Sequence, residues 1–170
     1  MINTSSVYRS NFAATADIVV NQGGTSSGKT YAILQVLFSK AIAETCTITV
    51  VGQDIPNLKV GALRDAIDIH NADEAIKQQV TFYNRSERVF TFKNGSIIEF
   101  NSYDNEQDAK SGKRDYLFVN EANGIPYNIF EQLSLRTRRQ VYLDYNPDTS
   151  FWVHDKIIPM PNAELIISDH

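Results

Sequence analysis

The chain has 170 residues, a length that suits a single domain with a sizeable core. Hydrophobic residues make up 42% of the sequence and charged residues 21%, which is ordinary for a soluble globular protein. No apolar run approaches the roughly 20 residues that cross a bilayer, and the N-terminus lacks the plan of a secretory signal. The net charge of −4 argues against a surface coated for nucleic acid, although it leaves room for DNA contact through one loop or edge.

Cysteine and histidine usage excludes two further classes. The single cysteine, Cys46, excludes an internal disulfide framework and fits a reducing compartment. Its position at the start of an apolar run predicts a buried, inert thiol. The three histidines (His70, His154 and His170) are scattered without metal-ligand spacing, so the sequence predicts no zinc site.

The first half of the chain alternates β-branched apolar runs with segments of helical spacing. This alternation predicts an α/β domain with a mainly parallel sheet flanked by helices. In chain order we predict a strand at 16–22, a helix at 29–45, a strand at 46–53 and helical structure over 55–79, with a break near 70–73.

The second half begins with a segment of different character. Residues 80–104 alternate aromatic and polar residues and contain Asn94-Gly95, a strong hairpin signal, so we predict an inserted antiparallel pair or three-stranded meander. No repeat or linker divides the chain, which predicts one domain over 1–170. After a loop at 105–114, the predicted elements are a strand at 115–120, a helix at 125–138, and strands at 140–147 and 164–168.

A glycine-rich segment between the first strand and the first long helix matches the phosphate-binding pattern G-x-x-x-x-G-K-[ST]. Its glycines allow consecutive N–H groups to surround an anion, and the following helix directs its positive end to the same place. Lys29 would contact the β- and γ-phosphates of ATP, and the Thr30 hydroxyl would bind Mg²⁺. The predicted nucleotide-binding residues are Gly23, Gly24, Thr25, Ser26, Ser27, Gly28, Lys29 and Thr30.

Two strands compete to supply the acidic residues that such a loop needs. The strand in DYLFVNEAN ends in Asn120 and Glu121, whereas VYLDYNP carries Asp144. A carboxylate is the stronger ligand for a hard cation, which favours Asp144. Glu121 directly follows its strand and can orient and deprotonate water.

Chain order decides between these strands. In P-loop hydrolases with a catalytic glutamate, the acidic strand is followed by a strand that ends in a polar sensor. If the strand before Glu121 is the acidic strand, residues 141–146 form the sensor strand. If the strand with Asp144 is the acidic strand, only residues 164–168 remain to form the sensor strand. We therefore predict Glu121 and Lys29 as catalytic residues, with Asn120 joining Thr30 at the metal through an oxygen or a bridging water.

Four segments together resemble the ATPase domain of the large terminase subunit, the motor that packages DNA into phage and prophage capsids. The resemblance extends over nearly the whole chain and implies a RecA-like P-loop NTPase of the additional-strand, catalytic-glutamate type, with ATP and Mg²⁺ as cofactors. The segments are GGTSSGKT, LFVNEAN, LRTRRQ and YLDYNPDTSFWVHDKI.

The resemblance also implies roles and partners. Glu121 would be the catalytic glutamate, Asn146 would report loss of the γ-phosphate, and Tyr8 would stack on adenine. Hydrolysis would drive double-stranded DNA into a capsid in the cytoplasm of the bacterial host, away from membranes. The partners would be double-stranded DNA, a portal protein, a small terminase subunit and further copies of the chain in a homo-oligomeric ring. The C-terminal nuclease domain of the family is absent from residues 1–170.

Many terminases place a basic residue inside the phosphate loop, but here those positions are Thr25, Ser26 and Ser27. A charge-stabilising arginine would therefore come from elsewhere, in cis or from a neighbouring subunit. The sequence does not identify the DNA-contacting residues, although the loop AKSGKR (109–114) is a local basic patch worth mutating. The candidate arginines are Arg114, Arg136, Arg138 and Arg139.

Three other functions share parts of this pattern. A helicase or another nucleic-acid-remodelling ATPase would use the same nucleotide chemistry. A small-molecule or nucleotide kinase would carry an arginine-rich lid, but region 80–104 holds only Arg85 and Arg88. A nucleotide-binding module without hydrolysis is the third, because Asn120 occupies a position where an aspartate is usual.

Overall fold

The structure is a computed structural model that describes residues 5–24, 28–148 and 150–168. Its helices are α1 (Ser6–Ala13), α2 (Lys29–Ala43), α3 (Ile55–Val60), α4 (Ala62–Ala72), α5 (Glu74–Gln79), α6 (Glu106–Ala109) and α7 (Tyr127–Leu135), with a 3₁₀ turn at Ala122–Gly124 and a π-helical turn at Val153–Ile157. Its strands are β1 (Ile18–Gly23), β2 (Thr47–Val51), β3 (Val80–Asn84), β4 (Val89–Phe92), β5 (Ile97–Asn101), β6 (Arg114–Val119), β7 (Thr137–Tyr145) and β8 (Ala163–Ser168).

The strands of the described ranges form one eight-stranded sheet in the order β3-β4-β5-β2-β6-β7-β1-β8. From β5 to β8 every neighbouring pair is parallel, whereas β3, β4 and β5 pair antiparallel. The predicted three-stranded meander is therefore confirmed, and its last strand continues the parallel sheet by pairing with β2. The turn at Asn94-Gly95 joins β4 to β5, and Gly95 adopts φ 90°, in the left-handed region that favours glycine.

The position of β7 confirms the predicted fold class. Strand β7 lies between β1, which precedes the phosphate-binding pattern, and β6, which precedes Glu121. An additional strand in this position separates the phosphate loop from the acidic strand by one sheet neighbour. Because parallel strands end at the same edge of a sheet, the residues after β1, β6 and β7 all meet there.

Apolar side chains on both faces of the sheet hold the helices in place. On one face α2 packs between α1 and α4, and Phe38 of α2 lies edge-on to Phe90 with ring centroids 5.4 Å apart. On the other face α7 inserts Phe130 and Leu133, both almost fully buried. Burial on both faces explains why β1, β2 and β6 are nearly continuous apolar runs in the sequence.

Helix breaks follow from local capping chemistry. The predicted break near 70–73 occurs at Asp73, whose Oδ1 accepts from Ile76 N at 3.1 Å and caps α5. A second break, at Gly61, separates α3 from α4 and was not predicted. The predicted loop 105–114 contains α6, which Asn105 caps by accepting from Asp108 N at 2.8 Å.

Cys46 is buried, with 4% of its surface exposed, as the sequence predicts. Burial raises the pKa of its thiol, which disfavours the reactive thiolate. In the ranges that the structure describes, no helix combines the length and apolar character of a membrane span.

Candidate nucleotide-binding site

Three strand ends and one helix start enclose a cavity of about 440 Å³ at the carboxyl edge of the sheet. Strand β1 leads into the phosphate loop, β6 into Asn120 and Glu121, and β7 carries Asp144. Asp144 pairs in register with Asn21, two residues before Gly23 ends β1. The polar side chains that line the cavity include Lys29, Thr30, Asn120, Glu121, Asp144 and Asn146.

The described part of the phosphate loop has the geometry that its sequence predicts. Gly28 adopts φ 75° and ψ 13°, a left-handed conformation that L side chains rarely adopt. It precedes the fifteen-residue helix α2, so the positive end of α2 faces the cavity. Gly24 turns its carbonyl oxygen toward Lys29 Nζ at 3.2 Å. The predicted loop residues Thr25, Ser26 and Ser27 lie outside the described residues.

Lys29 is drawn into the site by hydrogen bonds and is only 7% exposed. Besides Gly24, its Nζ donates to Asn146 Oδ1 at 2.8 Å, so the loop lysine and the predicted sensor residue are in contact. Burial lowers the pKa of Lys29, while the negative charges of Asp144 and Glu121 act in the opposite direction. Burial disfavours the charged form of Lys29, and an anion bound in the cavity would stabilise that charged form again.

Asp144 occupies the centre of the site and is 1% exposed. Its Oδ2 accepts from Thr30 Oγ1 at 2.5 Å, and its Oδ1 accepts from the backbone N–H of Glu121 at 2.6 Å. Asn120 Nδ2 donates to both oxygens, at 3.0 and 3.1 Å. Burial raises the pKa of the Asp144 carboxyl, while these hydrogen bonds and the charge of Lys29 oppose the rise.

By its chemistry Asp144 is the better metal ligand in the sequence, but chain order led us to predict Asn120. The geometry differs from that preference, because Asn120 turns its amide nitrogen toward Asp144 and, at 3.4 Å, toward Thr30 Oγ1. The sequence did contain a signal for Asp144 at this site, because Asp144 is a lone carboxylate inside the apolar run VYLDY, close to the proposed sensor. In this structure Asn120 therefore acts as a donor to Asp144, and its role at the metal stays a prediction.

Glu121 lies in a left-handed backbone conformation, with φ 51° and ψ 59°. Non-glycine residues in this region cost about 1–3 kcal/mol and concentrate at functional sites. The hydrogen bond from its N–H to Asp144 holds the turn, and Ala122 is fully buried directly after it. The turn thus leaves the Glu121 carboxylate exposed at the cavity, where it can reach water.

Tyr8 does not join these residues. Its hydroxyl shares a hydrogen bond of 3.2 Å with Ser39 Oγ, and its ring stacks on Phe12 with centroids 5.7 Å apart. Ser39 lies about 15 Å along α2 from Lys29, at 1.5 Å per residue. Tyr8 instead lines a separate cavity with Lys40 and Tyr116, so its position gives no support to adenine stacking.

The candidate arginines lie at the opposite edge of the sheet. Arg114 is buried at the start of β6, where it donates to Thr49 Oγ1 at 3.0 Å and to Leu133 O at 3.1 Å. Arg136 precedes β7, and Arg138 and Arg139 begin it, about 17 Å or more from Asp144 along an extended strand. A role for these arginines at the cavity of their own subunit, one of the two options that we considered, is therefore wrong.

The charge of the cavity is unbalanced. Among the described residues that line it, Lys29 is the one cation, whereas four residues are acids: Asp65, Glu121, Asp144 and Asp148. Burial raises the pKa of Asp65. The charges of Asp68 and Asp144 raise this pKa further, and the charge of Arg64 lowers it. No group of three or more His, Cys, Asp or Glu side chains with metal-binding geometry occurs within the described ranges. Thr30 and Asp144 offer oxygen donors, which fit Mg²⁺ that shares its shell with phosphates and water, as Mg²⁺ ordinarily does.

Comparison with protein families identifies one match. The model of a family described as phage terminase large subunit matches residues 15–164. A search of curated protein sequences finds no significant match.

Solved structures with the same fold include several DNA-packaging proteins. The large terminase of a thermophilic bacteriophage in complex with ADP has a TM-score of 0.75 and 14% identity, over 96% of this chain and 45% of the phage protein. The Thermus phage P74-26 large terminase ATPase domain also has a TM-score of 0.75 and 14% identity, over 97% of this chain and 80% of that domain. The N-terminal domain of the DNA packaging ATPase from bacteriophage phi29 has a TM-score of 0.62 and 16% identity, over 94% of this chain and 93% of that domain. The chain thus spans less than half the length of the large terminase from the thermophilic bacteriophage.

Proposed function

Because the chain belongs to the family of phage terminase large subunits, we propose that it is the ATPase domain of a DNA-packaging motor. It binds ATP with Mg²⁺ and hydrolyses it to ADP and phosphate, and the free energy drives double-stranded DNA into a capsid. The observation that carries this proposal is the meeting of Lys29, Glu121 and Asn146 around one cavity at the carboxyl edge of the sheet. The ADP complex of the large terminase from the thermophilic bacteriophage supports nucleotide binding by this fold.

Each part of the cavity has a task in this proposal. The phosphate loop and the start of α2 bind the phosphates through backbone N–H groups, and Lys29 adds a positive charge. The Thr30 hydroxyl would hold Mg²⁺, which supplies charge neutralisation of the phosphate oxygens. Glu121 orients a water molecule and accepts its proton as that water attacks the γ-phosphorus.

The two acids of the site have separate tasks because their surroundings differ. Asp144 accepts hydrogen bonds on both oxygens and is shielded from solvent, so it is unsuited to take a proton from water. Glu121 projects into the cavity from an exposed turn. This contrast in exposure favours proton transfer to Glu121, and a cation beside Thr30 would favour the ionised form of Asp144.

Aromatic contacts connect the sensor to the segment that follows Glu121. Beyond Asn146, Phe151 packs edge-on against Tyr145 with centroids 5.1 Å apart. Trp152 donates from Nε1 to Ile125 O at 2.7 Å and stacks on Phe130 of α7 at 4.6 Å. We propose that loss of the γ-phosphate at Asn146 is passed through these contacts to α7, coupling hydrolysis to DNA movement.

The partners follow from the family and are part of the proposal. They are double-stranded DNA, a portal protein, a small terminase subunit and further copies of this chain in a homo-oligomeric ring, in the cytoplasm of a bacterial host. A C-terminal nuclease domain would complete the large subunit. Since the four candidate arginines cannot reach their own cavity, a neighbouring subunit would supply the arginine that stabilises the transition state. Two exposed lysines, Lys110 and Lys113, form the local basic patch of loop 109–114, and we propose this patch as a DNA contact.

The test of the ATPase proposal is the variant Glu121→Gln. It should keep the affinity for ADP and lose turnover by ~10²–10⁴-fold, because the amide cannot accept the proton of water. Glu164→Gln, an exposed acid on β8, is the matched control and should hydrolyse ATP at the wild-type rate. Single-turnover measurement at high protein concentration suits a domain without its neighbour's arginine, which contributes ~10³–10⁵ in rate.

Two outcomes would contradict the proposal. Undiminished hydrolysis by Glu121→Gln would remove Glu121 from the reaction. Stimulation of the wild-type rate by single-stranded and not by double-stranded DNA would favour a helicase-like ATPase instead.

A further inference from the structure

We propose that Asp144 supplies the carboxylate of the metal site, so that the acidic position of this ATPase has moved from β6 to the neighbouring strand β7. The inference rests on the proposed function, because it concerns the Mg²⁺ that accompanies ATP. It assigns a metal-site residue, and it accounts for the asparagine before Glu121.

The two positions are interchangeable in space. Strands β6 and β7 pair in parallel with Val119 opposite Leu143, which brings the next residues, Asn120 and Asp144, side by side. Their side chains touch, with Asn120 Nδ2 at 3.0 Å from Asp144 Oδ1. A carboxylate from either strand therefore reaches the same place beside Thr30.

Electrostatics allow only one of these positions to be an ionised acid. Two carboxylates at the observed separation would repel each other strongly in a site where Asp144 is 1% exposed. An amide removes that repulsion and donates to the remaining carboxylate on both of its oxygens. Asn120 is therefore the expected neighbour of an aspartate at 144, and not a weakened metal ligand.

Asp144 also prepares Thr30 for a cation. The Thr30 hydroxyl has one proton, and it donates that proton to Asp144 Oδ2 at 2.5 Å. One lone pair of Thr30 Oγ1 then faces Asn120 Nδ2 at 3.4 Å, and the other is available to a hard cation. Asp144 contributes its charge and fixes the hydroxyl orientation, so it is a positioning residue as well as the anionic partner of the metal.

The same carboxylate connects the metal site to the proposed base. Asp144 Oδ1 accepts from the N–H of Glu121, the residue in the left-handed turn. A single side chain from β7 thus holds both Thr30 and Glu121. An aspartate at position 120 could not receive the Glu121 N–H in this way without a change in the turn.

The test measures Mn²⁺ binding to the ADP complex of the 170-residue chain by electron paramagnetic resonance, a readout independent of turnover. Asp144→Asn should weaken Mn²⁺ binding by ~10–100-fold, the range typical when an outer partner of a metal site is lost. Asn120→Ala keeps the Asp144 charge but removes a donor to it, so it should weaken Mn²⁺ binding clearly less than Asp144→Asn does. The exchange variant Asn120→Asp/Asp144→Asn returns a carboxylate to β6 and should recover most of the affinity. Asp115→Asn, another buried acid on β6 but at the opposite edge of the sheet, is the control.

Binding of ADP in the presence of EDTA separates this inference from the proposed function. If wild type binds ADP neither with EDTA nor with Mn²⁺, the nucleotide site itself fails. If ADP binds and Asp144→Asn holds Mn²⁺ as tightly as wild type, the assignment of Asp144 is overturned. A loss in Asn120→Ala as large as that in Asp144→Asn would also overturn it, and failure of the exchange variant to recover affinity would do the same should Asp144→Asn alone fail to fold.

Discussion

Lys29 Nζ donates to Asn146 Oδ1 at 2.8 Å, which joins the first residue of α2 to the residue that follows β7. The two side chains come from segments that are far apart in the sequence and meet only because β7 lies beside β1. The contact brings Asn146 next to the lysine that, in the proposed function, binds the γ-phosphate.

From this contact we expect Asn146→Ala to alter the discrimination between nucleotides. ADP affinity should change by no more than a few-fold, whereas the preference for ATP-γ-S over ADP should fall by about tenfold. A hydrogen bond to a charged group contributes ~1.5–3 kcal/mol. The alanine variant would lose such a bond only to the γ-phosphoryl group, which ATP-γ-S has and ADP lacks. Calorimetric titration with both nucleotides measures the ratio. Asn128→Ala, exposed on α7, is the control, and an unchanged ratio in Asn146→Ala would argue against the sensor role.

Gln140 carries a different kind of prediction, which concerns stability. Its Nε2 donates to Ala14 O and Ala16 O, both at 2.9 Å, and its Oε1 accepts from Tyr142 Oη at 2.7 Å. Gln140→Leu leaves these polar groups without their partner in a buried setting, and each such group costs about 1–3 kcal/mol. We expect the free energy of unfolding in urea to fall by about 2–4 kcal/mol in total.

The matched control is Gln132→Leu, the same chemical change at a half-buried position on α7. Gln132 reaches Glu106 only at 3.4 Å, so its replacement should cost less than about 0.5 kcal/mol, as is usual at surfaces. Equal losses in the two variants would show that the Gln140 contacts do not stabilise the fold.

Asp65 leads to a prediction about pH. Burial and the neighbouring acids Asp68 and Asp144 raise the pKa of its carboxyl above the ordinary value of 3.8, while Arg64 opposes the rise. The native state therefore retains the proton over a pH range in which the unfolded chain has lost it. Above the raised pKa the charged form costs stability, and below 3.8 the residue is protonated in both states.

Removing the charge of Asp65 should consequently increase the free energy of unfolding most near neutral pH. Without metal or nucleotide, the free energy of unfolding of Asp65→Asn relative to wild type should rise as pH increases from 3.8 through the raised pKa. Urea unfolding in EDTA at a series of pH values gives this difference. A difference that stays constant with pH, or that falls, would contradict the assignment.

Local patterns predicted most of the elements, because the residues that specify them are close together in the chain. The turn at Asn94-Gly95, the phosphate loop between β1 and α2, and the break at Asp73 all depend on a few consecutive side chains. Gly28 illustrates this, since its left-handed conformation follows from the strand, turn and helix around it. Chain order further predicted that the strand at 141–146 follows the acidic strand as the sensor strand, and in the sheet β7 lies between β6 and β1.

The sequence by itself therefore determined the class of fold, the phosphate loop and the strand that ends before Glu121. Tertiary structure decided which distant side chains meet. Strand order brings Asn120 against Asp144, turns Asn120 into a donor, and leaves Tyr8 and the arginines of β7 away from the cavity. The physical reason is that periodicity depends on neighbours within one element, whereas the meeting of two strand ends depends on pairing between elements. A single aspartate in an apolar strand carries no mark of its partner until β6 and β7 lie side by side.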